Sequence, residues 1–267
     1  MDLSVVITGA SSGIGLAAAE QFAARGDRVF LIGRHPRRLA EAVERVTKAG
    51  GGKPACAQAD FEDLSQVRDL AARLHDEVKT IDVLANNAGG MIKDYRVTGD
   101  GYEAAIQSNH LGPFLLTTLL RDCLSGARVV TTSSRAHHDG RPDPADFHKD
   151  PGYRHRYGAA KAANVLFAAE LARRWPDVTS VSFHPGVVRS NFGEGPLVRL
   201  FYRYAPGLVP ADRAGEQLVW LATAPADRLV NGAYYVGREP TQPAAHASDP
   251  AVAARLWEAS EAAVRAE

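Results

Sequence analysis

The sequence lacks three features that would indicate particular classes of protein: cysteine pairs, an excess of one charge and a long apolar run. Its two cysteines, Cys56 and Cys123, are too few for a disulfide framework and have no metal-ligand spacing. Lysine and arginine together number 31, as do aspartate and glutamate, which argues against nucleic acid or an anionic membrane as the main partner. No run reaches about eighteen apolar residues, so we expect no integral membrane segment.

The sequence also lacks a recognisable N-terminal targeting segment. A glycine-rich turn is reached by Gly9, which leaves no room before it for a signal peptide or an anchor. The length of 267 residues and the 45% hydrophobic content are enough for a sizeable core. We therefore expect a soluble, cytoplasmic protein in which residues 1–267 form a single domain.

What the sequence does contain is a regular alternation of short apolar runs and longer helical stretches. The runs predict seven strands, at 4–8, 28–32, 54–59, 81–85, 127–132, 178–183 and 232–236. Helices are predicted between them, at 13–25, 36–49, 64–77, 101–120, 157–175 and 215–223. This order implies right-handed βαβ units and strands that are covered on both sides. The predicted fold class is α/β, a Rossmann-type doubly wound parallel sheet of seven strands with helices on both faces.

The first predicted strand ends in a glycine-rich turn that leads directly into a helix. Glycines at such a turn let the backbone approach a pyrophosphate, and the helix N-terminus supplies N–H donors. The candidate cofactor-binding residues here are Gly9, Ser11, Ser12, Gly13, Ile14 and Gly15. Their spacing differs from the GxGxxG pattern of many dehydrogenases, and the alternative is a tight turn without a ligand.

The next strand ends indicate which dinucleotide is bound. Arg34 lies at the tip of the second strand, where a carboxylate would bind a free ribose 2′-hydroxyl and an arginine suits a 2′-phosphate. We therefore expect NADP(H) to be preferred, with NAD(H) as the alternative cofactor. In the other interpretation, Arg34 is one more solvated charge. Asp60 and Phe61 are candidates for the adenine, and Asn87, Ala88 and Gly89 for the ribose.

A tyrosine and a lysine mark the chemical end of the predicted site. Tyr157 and Lys161 are four residues apart and therefore share one helix face. A lysine ammonium near a phenol stabilises the phenolate and lowers its pKa from about 10. A serine at the end of the fifth strand, in Ser133-Ser134, could donate to the oxygen on which charge develops.

Together these motifs resemble the short-chain dehydrogenase/reductase family. The resemblance rests on the glycine turn, Asn86-Asn87-Ala88-Gly89, the serine, Tyr157-x-x-x-Lys161 and His184-Pro185-Gly186, and it covers nearly the whole chain. Within the family, the segments that begin at Ser133, Tyr157 and His184 look most like the branch of retinol dehydrogenases and WW-domain oxidoreductases.

The resemblance implies a role for each matching residue. Ser134 matches the catalytic serine, Tyr157 the general acid or base, and Lys161 the lysine that binds the nicotinamide ribose. Asn109 matches an asparagine that holds a water behind the lysine. Tyr157 and Lys161 also count as cofactor contacts, and Pro185, Gly186, Val188 and Ser190 fall at the nicotinamide end. No metal is implied, and His137-His138 are interpreted as loop histidines.

This chain departs from the family pattern at two places. Membrane-bound members of the retinol branch begin with a hydrophobic anchor, which we do not find, so the substrate need not be a membrane-partitioned retinoid. Many NADP-preferring members have a basic residue where this chain has Ser12, so the preference depends mainly on Arg34.

Two irregular stretches and one apolar helix complete the predictions. We expect a substrate loop at about 137–153 and a lid at about 192–210, whose apolar residues favour a hydrophobic alcohol or carbonyl substrate. The alternative for the lid is an amphipathic helix that touches a membrane. The helix at 159–171 is apolar almost all round, which predicts either a homodimer or homotetramer interface or a covering segment of the same chain.

The predicted function is NADP(H)-dependent oxidation or reduction at an alcohol or carbonyl group. One alternative is a sensor that binds NADP(H) without turnover, although such a protein would not need Tyr157 as a proton donor. A nucleotide-sugar epimerase is the other alternative, but too few residues follow Gly186 for its larger substrate domain.

Overall fold

The computed structural model describes residues 2–50, 52–188 and 207–265. In these ranges the chain forms one twisted sheet with the strand order β3-β2-β1-β4-β5-β6-β7-β8. The strands are β1 Ser4–Thr8, β2 Arg28–Gly33, β3 Ala55–Gln58, β4 Val83–Asn86, β5 Arg128–Thr132, β6 Thr179–His184, β7 Tyr234–Val236 and β8 Glu239–Pro240. The order reverses direction between β1 and β4, which is where doubly wound sheets bind ligands.

The seven predicted parallel strands are all present, and the sheet has an eighth strand that the sequence analysis did not anticipate. β8 is antiparallel to β7 and pairs Val236 with Glu239. The chain reverses at Gly237, whose φ of +64° lies in the left-handed region that glycine adopts without strain. A strand of two residues is too short to produce a periodic pattern, and therefore it could not be predicted from the sequence.

Helices cover both faces of the sheet. They are α1 Gly13–Ala24, α2 Pro36–Ala49, α3 Leu64–Glu77, α4 Ala104–Ile106, α5 Gly112–Leu119, α6 Tyr153–Arg174, α7 Ala211–Thr223 and α8 Pro250–Val264. The helix predicted at 101–120 is interrupted, because a π-helical turn at Gln107–Leu111 separates α4 from α5. Helix α6 begins at Tyr153, one turn before the predicted start.

Successive residues of a strand pack alternately into two separate cores. Val5 and Ile7 pack on the side of α1, α2 and α7, whereas Val6 between them packs on the side of α3, α5, α6 and α8. This alternation is the ordinary two-residue period of a strand. The inner strand β1 is buried at all five of its positions, as expected of a strand that is covered on both faces, and the sheet forms a platform for the residues at its carboxyl edge.

The apolar helix α6 is covered by the C-terminal helix of the same chain. Trp257 of α8 is buried and its ring packs 5.0 Å from Phe114 and 5.9 Å from Phe167, between ring centroids. This contact favours the alternative in which a segment of the same chain covers α6, and that segment is a helix. A homodimer or homotetramer remains a prediction.

Two further predictions concern irregular segments. In the substrate loop predicted at 137–153, a 3₁₀ turn at Arg135–His138 is followed by irregular backbone up to α6. Most of the lid predicted at 192–210 lies outside the described residues. Across the described ranges, no helix is both long enough and apolar enough to cross a bilayer.

Candidate active site and cofactor cleft

A cleft of about 440 Å³ runs along the carboxyl ends of the parallel strands. Most of the residues predicted from the sequence line it. They are Gly9, Ser11, Ser12, Gly13, Ile14, Arg34, Asp60, Phe61, Asn87, Ala88, Gly89, Ser134, Tyr157, Lys161, Pro185, Gly186 and Val188. Gly15 and Asn109 do not line the cleft but lie behind its wall, and Ser190 lies outside the described residues.

The glycine turn has the shape required to approach a phosphate closely. Gly9 and Gly13 have φ values of +67° and +56°, which side chains rarely adopt. A Cβ on Gly9 would lie 2.9 Å from the Cα of Ala88. A Cβ on Gly15 would lie 2.6 Å from both the Gly9 carbonyl oxygen and Asn87 Nδ2, so the role of Gly15 is packing. The turn therefore fits a dinucleotide, with α1 directing its N-terminus at the cleft.

Thr8, which the sequence analysis did not single out, joins β1 to the end of β4. Its Oγ1 donates to the Ala85 carbonyl at 3.1 Å and accepts from the backbone N–H groups of Asn87 and Ala88, both at 2.9 Å. The Asn87 amide donates in turn to the Thr8 carbonyl at 3.0 Å. These bonds fix the backbone where the cofactor ribose is expected. The position of a threonine directly before the glycine turn could have indicated this role.

Helix α6 places Tyr157 and Lys161 on one face, and both residues line the cleft. Lys161 Nζ lies 5.5 Å from the centroid of the Tyr157 ring and donates to the Thr132 carbonyl at 3.2 Å. The lysine is 2% exposed, and this burial lowers its pKa to about 7. The lysine amine is thus held away from solvent, where its interactions with a neighbouring phenol are weakly screened.

The structure separates the roles of the two serines. Ser133 is buried and its hydroxyl donates to the Lys161 carbonyl at 2.7 Å, which fastens β5 to α6. Ser134 caps the following 3₁₀ turn by accepting from the Ala136 N–H at 3.2 Å. Because a capping hydroxyl accepts, its own hydrogen can still be donated into the cleft. The role of Ser134 as the catalytic serine stays a prediction.

Asn109 lies on the π-helical turn and is fully buried behind Gly89. Its amide donates to the carbonyls of Ala105 and Gly90 at 3.0 and 3.1 Å, and its Oδ1 accepts from the Gly90 N–H at 3.0 Å. A Cβ on Gly89 would lie 2.3 Å from Asn109 Oδ1 and 3.1 Å from Lys161 Nζ. Single π turns often occur at functional sites, and this one brings Asn109 next to the lysine.

The adenosine end of the cleft is more strongly charged than the sequence analysis anticipated. Arg34 is joined along the wall by Glu62, His35 and Arg38, which were not among the predicted residues. Burial, and then the nearby Arg38 and Arg34, lower the pKa of His35. The ring of Phe61 points into the core, where a Cβ on Gly112 would lie 2.8 Å from it. Phe61 therefore lines the cleft mainly through its backbone.

At the nicotinamide end, the chain turns at Gly186, whose φ is +86°. A Cβ there would lie 2.6 Å from Val209 Cγ2, and Val188 forms an isolated bridge with Val209. His184 also lines the cleft. Burial, followed by the nearby Arg135 and His137, lowers its pKa to about 4, so it is neutral at physiological pH.

His137 connects the segment that follows β5 to a later segment of the chain through hydrogen bonds. Its Nε2 accepts from the Ala244 N–H at 3.1 Å, which leaves the hydrogen on Nδ1 to donate to the Ser134 carbonyl at 2.7 Å. His246 Nε2 donates to the carbonyls of His137 and Gly140 at 2.9 and 3.0 Å. Within the described ranges, no cluster of three histidine, cysteine or acidic side chains could hold a metal ion.

Comparison with known proteins gives one consistent family. The short chain dehydrogenase family profile matches residues 4–195. The chain is 48% identical over 267 residues to "Putative daunorubicin C-13 ketoreductase DnrU" of Streptomyces sp. (strain C5), covering 98% of this chain and 92% of that protein. It is 36% identical to human retinol dehydrogenase 12 over 266 residues, covering 96% of this chain and 84% of the relative.

Solved structures agree with the sequence comparison. A Mycobacterium paratuberculosis protein superposes with a TM-score of 0.80 at 33% identity, and the match covers 98% of this chain and 93% of the Mycobacterium chain. A Burkholderia cenocepacia J2315 short chain dehydrogenase in complex with NADP superposes with a TM-score of 0.69 at 25% identity. The match covers 87% of this chain and 94% of the Burkholderia chain. The family match and the shared fold show that this chain is a member of the short-chain dehydrogenase/reductase family of oxidoreductases.

Proposed function

We propose that the protein is an NADP(H)-dependent reductase of ketones or aldehydes, able to oxidise the corresponding alcohols in reverse. One observation carries the proposal: Ser134, Tyr157 and Lys161 line the same cleft as the phosphate-binding turn. NADP(H), when bound, would supply or take up the hydride. The protein has to orient the substrate oxygen and transfer one proton to or from it.

Each of the three side chains has one task in this proposal. Tyr157 gives the proton of its hydroxyl to the carbonyl oxygen during reduction and accepts it back from the alcohol during oxidation. Ser134 donates a hydrogen bond to the same oxygen as negative charge develops there. Lys161, held by the Thr132 carbonyl at 3.2 Å, stabilises the phenolate that remains on Tyr157.

The preference for NADP(H) is supported by the charges at the tip of β2. Arg34, His35 and Arg38 all line the adenosine end of the cleft, and an arginine fork can bind a phosphate through two parallel N–H donors. A carboxylate that could bind a 2′-hydroxyl does not occupy position 34. The NADP complex of the Burkholderia neighbour is consistent with this assignment.

An apolar substrate is supported by the walls near the chemical end. Met91, Ile92, Val187 and Val188 line the cleft there, and Val187 is 46% exposed. The name of the Streptomyces relative describes reduction of a ketone. In the proposed arrangement the segment 137–153 borders the substrate.

The proposal is tested by mixing the protein with NADPH, and separately NADH, and a panel of apolar ketones and aldehydes while near-ultraviolet absorbance is followed. We expect absorbance loss with at least one carbonyl compound, faster with NADPH than with NADH at equal concentration. Tight NADPH binding with no turnover across the panel would favour the sensor. Absence of binding by either nucleotide would contradict the cofactor assignment.

A further inference from the structure

The adenosine end of the cleft contains a carboxylate that is shared between two arginines. Arg96 donates to both oxygens of Glu62, with Nη2 to Oε1 at 2.9 Å, and Arg34 Nη1 donates to the same Oε1 at 3.2 Å. The Glu62 side chain is 14% exposed, whereas Arg34 and Arg96 are 52% and 45% exposed. Glu62 is therefore bound by two contacts to Arg96 and by one to Arg34.

These three residues come from separate parts of the chain. Arg34 follows β2, Glu62 follows β3, and Arg96 lies in the segment after β4. Arg34 and Glu62 both line the cleft. Arg34 is also 3.9 Å from Asp60, so its guanidinium faces two carboxylates that follow β3. A 2′-phosphate at the tip of β2 would have to share Arg34 with Glu62.

We infer that the Arg96–Glu62 pair sets the preference between NADP(H) and NAD(H), because it controls how strongly Glu62 competes with a 2′-phosphate for Arg34. The inference deepens the proposed function and depends on it. A carboxylate so close to the phosphate site holds one of the arginine's donors and repels the phosphate dianion. Arg96 offsets both effects, since its guanidinium engages both Glu62 oxygens.

Opposite effects of the two residues follow from this arrangement. Removing the charge of Glu62 frees Arg34 and eliminates the repulsion, so a nucleotide with a 2′-phosphate binds more tightly. Removing Arg96 leaves Glu62 to bind Arg34 fully, so the same nucleotide binds more weakly. A nucleotide with a free 2′-hydroxyl carries no charge at this position, and its affinity changes little.

The test is calorimetric titration with adenosine 2′,5′-bisphosphate and with 5′-AMP, which differ only in the 2′-phosphate. We expect Glu62→Gln to raise the affinity for the bisphosphate about fivefold and Arg96→Gln to lower it about fivefold. Changes of this size are typical of partly exposed ion pairs. In the double variant, the Arg96 substitution should change the affinity for the bisphosphate by less than about twofold relative to Glu62→Gln alone, because its effect acts through the Glu62 charge. Affinity for 5′-AMP should stay within about twofold throughout.

Glu20→Gln is the matched control. Glu20 forms a similar two-contact pair with Arg45, at 2.7 and 2.9 Å, but does not line the cleft. The control should leave both affinities unchanged. Weaker bisphosphate binding by Glu62→Gln, or equal changes for the two nucleotides, would overturn the inference.

Arg34→Gln separates failure of the inference from failure of the proposed function. If the wild-type protein binds both nucleotides equally, the NADP(H) assignment itself fails and the inference fails with it. If the wild-type protein prefers the bisphosphate and Arg34→Gln abolishes that preference, while the Glu62 and Arg96 variants behave as wild type, the inference alone is wrong. Equal thermal midpoints among the variants would show that all of them fold.

Discussion

Individual residues at the chemical end depend on one glycine for their placement. Gly89 lies between Asn109 and Lys161, and its φ of +151° is rarely adopted by other residues. Gly90, the next residue in the chain, has open space around the position of a Cβ. The two neighbouring glycines therefore form a natural pair for mutation.

Gly89→Ala is expected to lower kcat strongly, on the order of a hundredfold, because the added methyl group would lie 2.3 Å from Asn109 Oδ1 and 3.1 Å from Lys161 Nζ and so displaces Asn109 most. Gly90→Ala is expected to keep kcat within about threefold, since the methyl group meets no other atom. Steady-state kinetics on both variants check the prediction. Wild-type kcat in Gly89→Ala would show that catalysis does not depend on this placement of Asn109 and Lys161.

Several site residues could be predicted from the sequence because their chemistry is local. The glycine turn and the Tyr157–Lys161 spacing each lie within a few residues, so a motif carries the geometry. Glu62 and His137 could not be predicted in the same way. Their partners Arg96 and Ala244 are 34 and 107 residues away, and such contacts depend on the folded topology.

At the scale of elements, packing between helices explains what the apolar sequence of α6 is for. Trp257 of α8 is 4% exposed and contacts Phe114, Phe167 and Trp175, with centroid distances of 5.0, 5.9 and 5.9 Å. The sequence showed that α6 needed a cover, but a pattern of apolar residues does not identify the covering partner.

Trp257→Ala is expected to lower the free energy of unfolding by about 3–5 kcal/mol, because it leaves a cavity between α8, α5 and α6. Val230, which is 56% exposed, provides the control, and Val230→Ala should change stability by less than about 0.5 kcal/mol. Urea unfolding measures both. A loss below about 1 kcal/mol for Trp257→Ala would contradict the described packing.

Element boundaries show where local patterns are insufficient. The ends of the parallel strands were predicted to within about two residues, since most strand residues are buried and short apolar runs mark them. The π-helical turn was not predicted, because one extra residue per turn hardly changes the apolar pattern of the 101–120 stretch. That turn carries Asn109, so the irregular part of the helix is the part that contributes to the site.

At the scale of the whole molecule, buried histidines make stability depend on pH. Burial lowers the pKa of His110 and His184 to about 4, and it lowers that of His137 as well. In the unfolded chain these groups have pKa values of about 6.5. Between those values the unfolded state binds more protons than the folded state, so stability is lost as pH falls below about 6.5.

We expect the free energy of unfolding to fall between pH 7 and pH 4, with His110 and His184 each contributing on the order of 3 kcal/mol. Denaturant titrations across this range check the prediction. His110→Gln should reduce the dependence, whereas His148→Gln should not, since His148 is exposed. An equal pH dependence in wild type and His110→Gln would show that His110 is not buried in the neutral form.

The central claim is that the Tyr157 hydroxyl transfers the proton, and a pair of tyrosine variants tests it most directly. Tyr153 lies one turn earlier on the same helix and is 41% exposed, so Tyr153→Phe is the matched control. The measurement is the rate of a single turnover when the NADPH complex of each variant is mixed with an apolar ketone that the wild-type protein reduces. We predict that Tyr157→Phe binds NADPH as wild type does but reacts about a thousandfold more slowly, while Tyr153→Phe reacts within about threefold of wild type. Turnover by Tyr157→Phe at the wild-type rate would contradict the proposed role of Tyr157.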